Sequence, residues 1–344
     1  MLHCHLIVPD LILTAELMKE ICAGLALPTL ETLLGKGDTI SQAVESYEAW
    51  LCAIHGVQKQ QDWPLAPITL AADGGAVGTD FWLRADPVHL RVERGQLTLQ
   101  GSNALDLSLG DACALTQALN AHFSGDKLVF QVVRPHHWYV CFAAAPQLRT
   151  VASAQAIGRN IDSLLPTGAD GKRFVRLFNE TQMVLFSHPL TEARETNGLP
   201  TVNSVWFWGG GKLPGSFTQA FAKIWASEEV ACSLGQVSGT PIEALPETGA
   251  AWLSSATTAS HCGLMLDQLR TCRQQGDLYR WREALQRLES EWCVPLLNAL
   301  KAGKIKRLTL TAFGENQMYE VSMQRRTLWR FWRHARPLAA LAED

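Results

Sequence analysis

The stretch NETQMVLFSHPLTEARETNGLPTVNSVWFWGGGKLPG, residues 179–215, joins a helical pattern to an apolar strand and three consecutive glycines. The helical pattern ends at Gly198, and Pro200 blocks its continuation. The apolar run 202–208 predicts a strand that enters a turn at the glycines 209–211. Because glycine adopts backbone conformations that other residues avoid, such a turn allows the main chain to approach a ligand closely. Open α/β sheets commonly bind ligands where a strand ends in this way.

Predicted strands and helices alternate on both sides of this stretch. Strands are predicted at 2–8, 81–92, 128–133, 262–267 and 305–312, and helices at 41–55, 108–123, 173–187, 278–302 and 325–334. Alternation of this kind predicts an α/β fold in which helices connect the strands. The β-rich region 75–145 is predicted to be an inserted α+β subdomain, and residues 1–74 and 146–344 to form the α/β core domain.

The composition is that of an ordinary globular protein. Hydrophobic residues make up 47% of the 344 positions, charged residues 18%, and the net charge is −3, which gives no basic field for nucleic acid. The nine cysteines include no C-x-x-C pair, which indicates reduced thiols. The sequence has no apolar run of about 18 residues, and because its first residues lack a basic region we expect no signal peptide. We therefore expect a cytoplasmic protein that binds neither nucleic acid nor membrane.

The quoted stretch is the predicted ligand-binding surface. Arg194 has the geometry to grip a carboxylate or phosphate with two hydrogen bonds, and Asn203 would fix that anion beside the glycine turn. The alternative is that the charged residues form solvated surface pairs and that the tryptophans belong to the core. The predicted site consists of Asn179, Glu180, Gln182, His188, Glu192, Arg194, Asn203, Trp208, Gly209, Gly210 and Gly211.

Three smaller groups have both a structural and a functional interpretation. Strand alternation places Arg84 and Asp86 on one face, which favours an ion pair, whereas Asp86 with His89 would be an incomplete metal site. His3 and His5, with Asp10, favour packing over cation binding. The basic and aromatic segment 325–336 favours a helix docked on the sheet through its aromatic residues, with an interaction scaffold as the other interpretation.

The motifs in the quoted stretch resemble a known family. His188-Pro189, Glu192, Arg194, Gly198, Pro200, Asn203 and the Trp-Phe-Trp-Gly-Gly-Gly run resemble a segment of the archaeal-type cofactor-independent phosphoglycerate mutases, which belong to the alkaline phosphatase superfamily. The chain is similar, nearly end to end, to a bacterial branch known as phosphoglycerate mutases or as regulatory proteins of the Rpf (regulation of pathogenicity factors) type. This resemblance implies an alkaline-phosphatase-like mixed sheet flanked by helices, with a smaller inserted subdomain.

The chain departs from that family where the catalytic metals are expected. The resemblance implies two divalent cations held by aspartates and histidines, which would clamp the transferred phosphoryl group. Here the first strand ends at Asp10 without the family's following glycine, and His334 is the only histidine after Asp267. We therefore assign no catalytic residue from the sequence, and we predict no metal site and no cofactor.

The function predicted from the sequence follows from this departure. We expect a catalytically degenerate phosphoglycerate mutase-like protein, a pseudoenzyme with a regulatory role that binds a small anionic metabolite or a protein partner. The alternative is a metal-dependent phosphoglycerate mutase or related phosphotransfer enzyme, in which a divalent metal would involve Asp10, Asp86 or His89.

Overall fold

A computed structural model describes residues 2–93, 95–102, 105–255 and 260–342. The strands are His3–Val8 (β1), Asp38–Ala43 (β2), Phe81–Glu93 (β3), Gln96–Gln100 (β4), Leu128–Arg134 (β5), His137–Phe142 (β6), Ser204–Gly211 (β7), Lys223–Trp225 (β8), Ile242–Glu243 (β9), His261–Met265 (β10), Arg307–Phe313 (β11) and Gln317–Gln324 (β12). The α-helices are Ala15–Ile21 (α1), Pro28–Lys36 (α2), Tyr47–Ile54 (α3), Leu65–Ala72 (α4), Leu109–His122 (α5), Ser153–Ala156 (α6), Gly171–Phe186 (α7), Pro189–Thr196 (α8), Glu229–Val237 (α9), Gly249–Ser254 (α10), Gln268–Gln274 (α11), Leu278–Arg287 (α12) and Val294–Lys301 (α13).

The chain divides into two compact units. The first contains residues 1–55 and 218–344, and the second contains residues 56–217. The prediction set the limits of the inserted subdomain at 75 and 145, and the second unit extends beyond both. The extension arises because β7 pairs with β3 along residues 82–88, which ties the stretch after 145 to the predicted subdomain.

The first unit is built on a mixed sheet with the strand order β2-β12-β11-β1-β10-β8-β9 among its described residues. Strands β11, β1, β10, β8 and β9 run parallel to one another, whereas β12 pairs antiparallel with β11 and β2 pairs antiparallel with β12. Cys4, Leu6 and Val8 point into a large core shared with helices α12 and α13. This arrangement of a mixed α/β sheet with flanking helices confirms the predicted fold class.

The second unit contains an antiparallel sheet. Its described strands follow the order β4-β3-β6-β5, and β7 pairs with β3 on the other side. Helix α5 begins at its N-cap Ser108, whose hydroxyl accepts a hydrogen bond from Asp111 N at 3.1 Å, as the capping pattern predicts. The predicted turn at 93–95 includes Arg94, which lies outside the described residues.

Three predicted helices differ in the structure. The helix predicted at 41–55 is wrong in its first half, because residues up to Ala43 belong to β2, which pairs with the distant β12, and the helix begins after its N-cap Ser46. The helix predicted at 278–302 is interrupted by a π-helical turn, Leu288–Cys293, just before Pro295, which lacks the N–H that a continuous helix requires. The helix predicted at 325–334 is a single 3-10 turn, Arg325–Trp329.

The helices found in the described residues are all too short or too polar to cross a membrane.

Candidate functional site

The candidate site of the first unit lies at the carboxyl ends of its parallel strands. Asp10 follows β1, Asp267 follows β10 and Gly314 follows β11. Since neighbouring strands run in the same direction, these three positions lie at one edge of the sheet. In open α/β sheets this edge is where ligands bind.

Asp10 is fixed in place by two arginines. Its carboxylate accepts a hydrogen bond from Nη1 of Arg273, and its Oδ2 atom lies 3.7 Å from Nε of Arg270. Both arginines belong to α11, three residues apart and therefore on the same side of the helix. The backbone of Asp10 has a φ of 57°, a left-handed conformation that is uncommon for a residue other than glycine. The one carboxylate retained at the end of β1 is thus paired with guanidinium groups.

Arg270 lies in the middle of an acidic group of side chains. Its guanidinium is buried, donates to Glu48 and lies over the ring of Tyr47, with Cζ at 5.0 Å from the ring centroid. Asp10 and Glu228 contribute further negative charge at this place. Within the described residues, Nε and Nη1 of Arg270 find no hydrogen-bond acceptor. The guanidinium of Arg270 therefore lies at the centre of this cluster of carboxylates.

Burial changes the titration of two carboxyl groups in this group. The pKa of Glu228 is raised to about 7, because burial outweighs the attraction of Arg270 and two backbone N–H donors, of Val230 and Ala231. Burial also raises the pKa of Asp267, against the opposing effect of Arg270. Near neutral pH, Glu228 is therefore divided between its protonated and ionised forms, which reduces the negative charge around Arg270.

A cavity of about 350 Å³ opens at this edge of the sheet. Its walls include Thr14 and Arg273, together with the turn between β11 and β12 at Gly314, Glu315, Asn316 and Gln317. Thr14 is exposed and is the N-cap of α1, but its side chain makes no capping hydrogen bond. The polar residues of the cavity wall thus carry a hydroxyl, a guanidinium, a carboxylate and two amide groups.

The second unit has a buried polar network of its own. Asp86 accepts hydrogen bonds from Nε of Arg84 at 2.8 Å and from Nε1 of Trp208 at 2.7 Å. The guanidinium of Arg84 lies between the rings of Tyr139 and Trp208, with Cζ at 5.0 and 5.3 Å from their centroids. The ion pair that strand alternation favours is thus confirmed, within β3 rather than at its end.

Asp73 extends this network toward the surface of the second unit. It accepts a hydrogen bond from Tyr139 Oη at 2.8 Å, and its Oδ2 atom lies 2.7 Å from Nδ1 of His137. Arg134 pairs with its other oxygen at 3.0 Å. The pKa of Asp73 is lowered, since the opposing effect of burial is exceeded by His137, Tyr139 and Arg134. A carboxylate beside an imidazole fits the metal-dependent alternative better than the expectation that no cofactor is needed.

The structure contradicts the anion-gripping role predicted for Arg194. The side chain is buried, and its guanidinium donates to the backbone carbonyls of Pro200 at 2.9 Å, of Asp106 at 3.3 Å and of Leu105. Asn203 is also occupied, because its amide exchanges hydrogen bonds with both backbone groups of Leu90. Sequence reasoning missed this structural role of Arg194 because an arginine that binds backbone carbonyls and one that binds an anion have the same local sequence pattern.

The predicted glycine turn is likewise wrong. Gly209, Gly210 and Gly211 are buried inside β7. A Cβ atom on Gly209 would lie 3.0 Å from Cβ of Leu65, and one on Gly211 would lie 2.9 Å from Cα of Pro64. The glycines therefore allow α4 and the residue before it to pack closely on the strand, which leaves no space at these positions for a ligand.

The other predicted site residues are spread over α7 and α8. Asn179 and Glu192 are exposed, and Gln182 is half-buried. Glu180 accepts a hydrogen bond from Arg176 Nε at 2.7 Å, and His188 is the N-cap of α8, accepting from Leu190 N at 3.2 Å. The structure therefore shows helix-surface and capping contacts for these side chains.

The suggested cation site at His3, His5 and Asp10 is also contradicted. The two histidines lie on β1 and stack with His261 of β10, with ring centroids of His3 and His261 at 4.2 Å. Asp10 follows the opposite end of the same strand. The packing interpretation is therefore confirmed. His89, named in the metal alternative, has its Nδ1 atom 2.9 Å from the carbonyl oxygen of Thr201.

Two named phosphoglycerate mutases are similar to this chain. A probable 2,3-bisphosphoglycerate-independent phosphoglycerate mutase of Geobacter sulfurreducens is 29% identical over 160 residues, which cover 45% of this chain and 40% of that protein. A 2,3-bisphosphoglycerate-independent phosphoglycerate mutase of Methanosarcina barkeri is 26% identical over 152 residues, covering 43% of this chain and 37% of that protein. The chain is a divergent relative of these mutases. Each match spans less than half the length of the curated relative.

The fold of this mutase-like chain is also found in a solved structure. The PH0037 protein from Pyrococcus horikoshii aligns with 94% of this chain and 87% of its own, with a TM-score of 0.55 and 12% sequence identity. At this identity the match concerns the fold alone. No protein-family model matches the chain.

Proposed function

We propose that this mutase-like chain binds a small anionic metabolite and does not carry out metal-dependent phosphoryl transfer. The observation that supports this proposal is the pairing of Asp10 with Arg270 and Arg273. A divalent cation at this edge would need carboxylate oxygens that are free to coordinate it. Here a guanidinium already neutralises those oxygens, and it repels a second cation.

The cavity beside Asp10 supports the class of ligand. Arg273 is partly exposed and lines the cavity. Its Nη1 atom pairs with Asp10, and in this proposal the other N–H groups of its guanidinium bind a carboxylate or phosphate group. Thr14 and the amide side chains of Asn316 and Gln317 supply neutral hydrogen-bond donors. Such a site suits a small anion of the size of a phosphorylated three-carbon acid. A regulatory role, in which occupancy of the cavity is sensed by another molecule, is part of this proposal.

Metal content and mutase activity test the proposal directly. We expect purified protein to contain substoichiometric manganese and zinc by elemental mass spectrometry, and to show no phosphoglycerate mutase activity with added Mn²⁺. Calorimetry with inorganic phosphate should show binding that weakens about tenfold in Arg273→Gln, since a charge-assisted hydrogen bond is lost. Arg280→Gln, in the exposed pair with Asp277 of the same unit, is the matched control and should bind phosphate unchanged.

A metal-dependent enzyme is the second candidate function, because the named relatives of this chain are mutases and Asp73 lies beside His137. This alternative predicts mutase activity that depends on Mn²⁺ and is abolished in Asp73→Asn. Stoichiometric tight metal, or activity of this kind, would refute the proposal of binding without phosphoryl transfer.

A further inference from the structure

The segment 325–336, here called the aromatic strap, carries an unusual combination of exposed side chains. Trp329 is 79% exposed, Phe331 83% and Trp332 63%. These rings were predicted to dock on the sheet, and the structure contradicts that prediction. Large apolar side chains that are adjacent and face solvent commonly mark an interaction surface.

The exposure of the rings does not come from a loose end of the chain. Arg330 forms an ion pair with Asp38 and donates to Lys36 O at 3.3 Å, and Arg333 donates to Gly37 O at 2.7 Å. The backbone N–H of Arg336 donates to Glu31 O at 3.0 Å. The strap is therefore held against the end of α2 and the start of β2, and it presents its aromatic side chains outward from a fixed base.

The strap is strongly basic. Its sequence RRTLWRFWRHAR has five arginines and no acidic residue, and Asp38 is the acidic partner that the structure shows for it. Arg325 and Arg326 are exposed beside the rings. The expectation that the chain avoids membranes relied on its net charge of −3, but the field at a surface depends on the local distribution of charge.

A basic cavity is formed by the second half of the strap. It has a volume of about 420 Å³, and its walls include Arg333, His334 and Arg336 of the strap together with Thr39 and the main chain at Gly35 and Gly37. Arginine side chains and a hydroxyl in one hollow suit the phosphate of a lipid headgroup. Arg333, which lines this hollow, directly follows Trp332 in the sequence.

We propose that the aromatic strap docks the protein on a membrane surface rich in anionic phospholipids. Tryptophan and arginine are favoured at the membrane interface, because each combines an apolar body with a polar or charged end. The rings of Phe331 and Trp332 are at 85° to each other with centroids 5.1 Å apart, so they form an edge-to-face pair rather than a parallel platform for nucleic-acid bases. In this proposal the aromatic side chains of the strap enter the membrane interface, and its arginines bind the anionic headgroups.

Vesicle flotation of the full chain tests the proposal. The wild-type protein should float with vesicles of phosphatidylcholine and phosphatidylglycerol, should not float with phosphatidylcholine alone, and should dissociate as salt is raised. The variant Trp329→Ser/Phe331→Ser/Trp332→Ser should bind at least about tenfold more weakly. Arg325→Gln/Arg326→Gln should bind about 25-fold more weakly, at roughly fivefold per charge. Tyr279→Ser, at a 73% exposed site in the same unit, is the matched control and should bind normally.

Thermal melting confirms that each variant is folded, which is expected because all the substituted side chains are exposed. The proposal is overturned if the wild-type protein remains unbound in the presence of anionic vesicles, or if the triple variant floats as well as the wild type. It is also overturned if a fluorescent single-stranded RNA binds through the strap while vesicles do not. Binding to phosphatidylcholine alone at the same strength would exclude a role for the arginines and would equally contradict it.

Discussion

Arg84 and Asp86 form a buried ion pair, with Nε of Arg84 donating to Oδ1 of Asp86 at 2.8 Å. The two residues alternate on β3 and therefore share one face of the strand. Trp208 satisfies the second carboxylate oxygen, and the rings of Tyr139 and Trp208 cover the guanidinium. Breaking such a pair from one side leaves a buried charge without compensation.

Asp86→Asn should therefore be strongly destabilising. We expect a loss of about 3–5 kcal/mol in the free energy of unfolding, because Arg84 keeps its charge in a buried position. Urea unfolding measures this loss. Glu93→Gln is the control, since Arg91 and Glu93 form an exposed pair on the same strand, and it should change stability by less than about 1 kcal/mol. Equal losses in the free energy of unfolding for the two substitutions would show that the buried pair contributes no more to stability than the exposed pair.

Arg194→Ala should also reduce stability. Its guanidinium binds three backbone carbonyls, of Pro200, Leu105 and Asp106, and truncation leaves these acceptors without their donor. We expect a loss of about 2–4 kcal/mol, measured by urea unfolding. Arg176→Ala, at a highly exposed position on α7, should cost little. A stable Arg194→Ala protein that no longer binds phosphate would restore the anion-binding role that the sequence predicted.

The low pKa of His5 in the folded state should make the protein less stable in acid. Burial, with His261 and His3 nearby, lowers the pKa of His5 from 6.5 to about 3 in the folded state. Between these two values the unfolded chain binds a proton that the folded chain does not, so the free energy of unfolding falls as pH falls. From pH 7 to pH 5 this amounts to about 2 kcal/mol for one histidine.

His5→Leu tests this linkage. The variant should lose less stability than the wild type between neutral pH and about pH 5, by about 2 kcal/mol in urea unfolding at the two pH values. Comparing the two pH values within each protein removes the constant effect of losing the hydrogen bond between His5 and Thr311. An unchanged pH dependence would mean that His5 is protonated in the folded state.

Local patterns in the sequence were sufficient for much of the fold and for one feature of the second unit. The strand predicted at 81–92 is present as β3, strand alternation places Arg84 and Asp86 on one face, and Ser108 correctly marks the start of α5. The rings that enclose Arg84 come from β6 and β7, whose register depends on tertiary pairing. That register is not contained in any local pattern.

The candidate site of the first unit was predicted less well for the same reason. Asp10 was identified as a retained carboxylate, but its partners Arg270 and Arg273 lie more than 250 residues away in the chain. The one available signal was their spacing of three on a helix that directly follows β10. The strand conformation of β2 likewise depends on tertiary pairing, because its partner β12 is distant in the chain and begins at Gln317.

Gly211→Ala tests the packing explanation for the glycines of β7. A Cβ atom at this position would lie 2.5 Å from Cβ and 2.9 Å from Cα of Pro64, and the backbone contact cannot be relieved by a rotamer change. We expect a loss of about 1–3 kcal/mol, because a tightly packed site must shift to accept the added methyl group. Gly215→Ala lies four residues further along the chain, has no atom within 4 Å of its added Cβ, and should be tolerated. If both variants unfold at the same urea concentration as the wild type, close packing is not the reason for glycine at position 211.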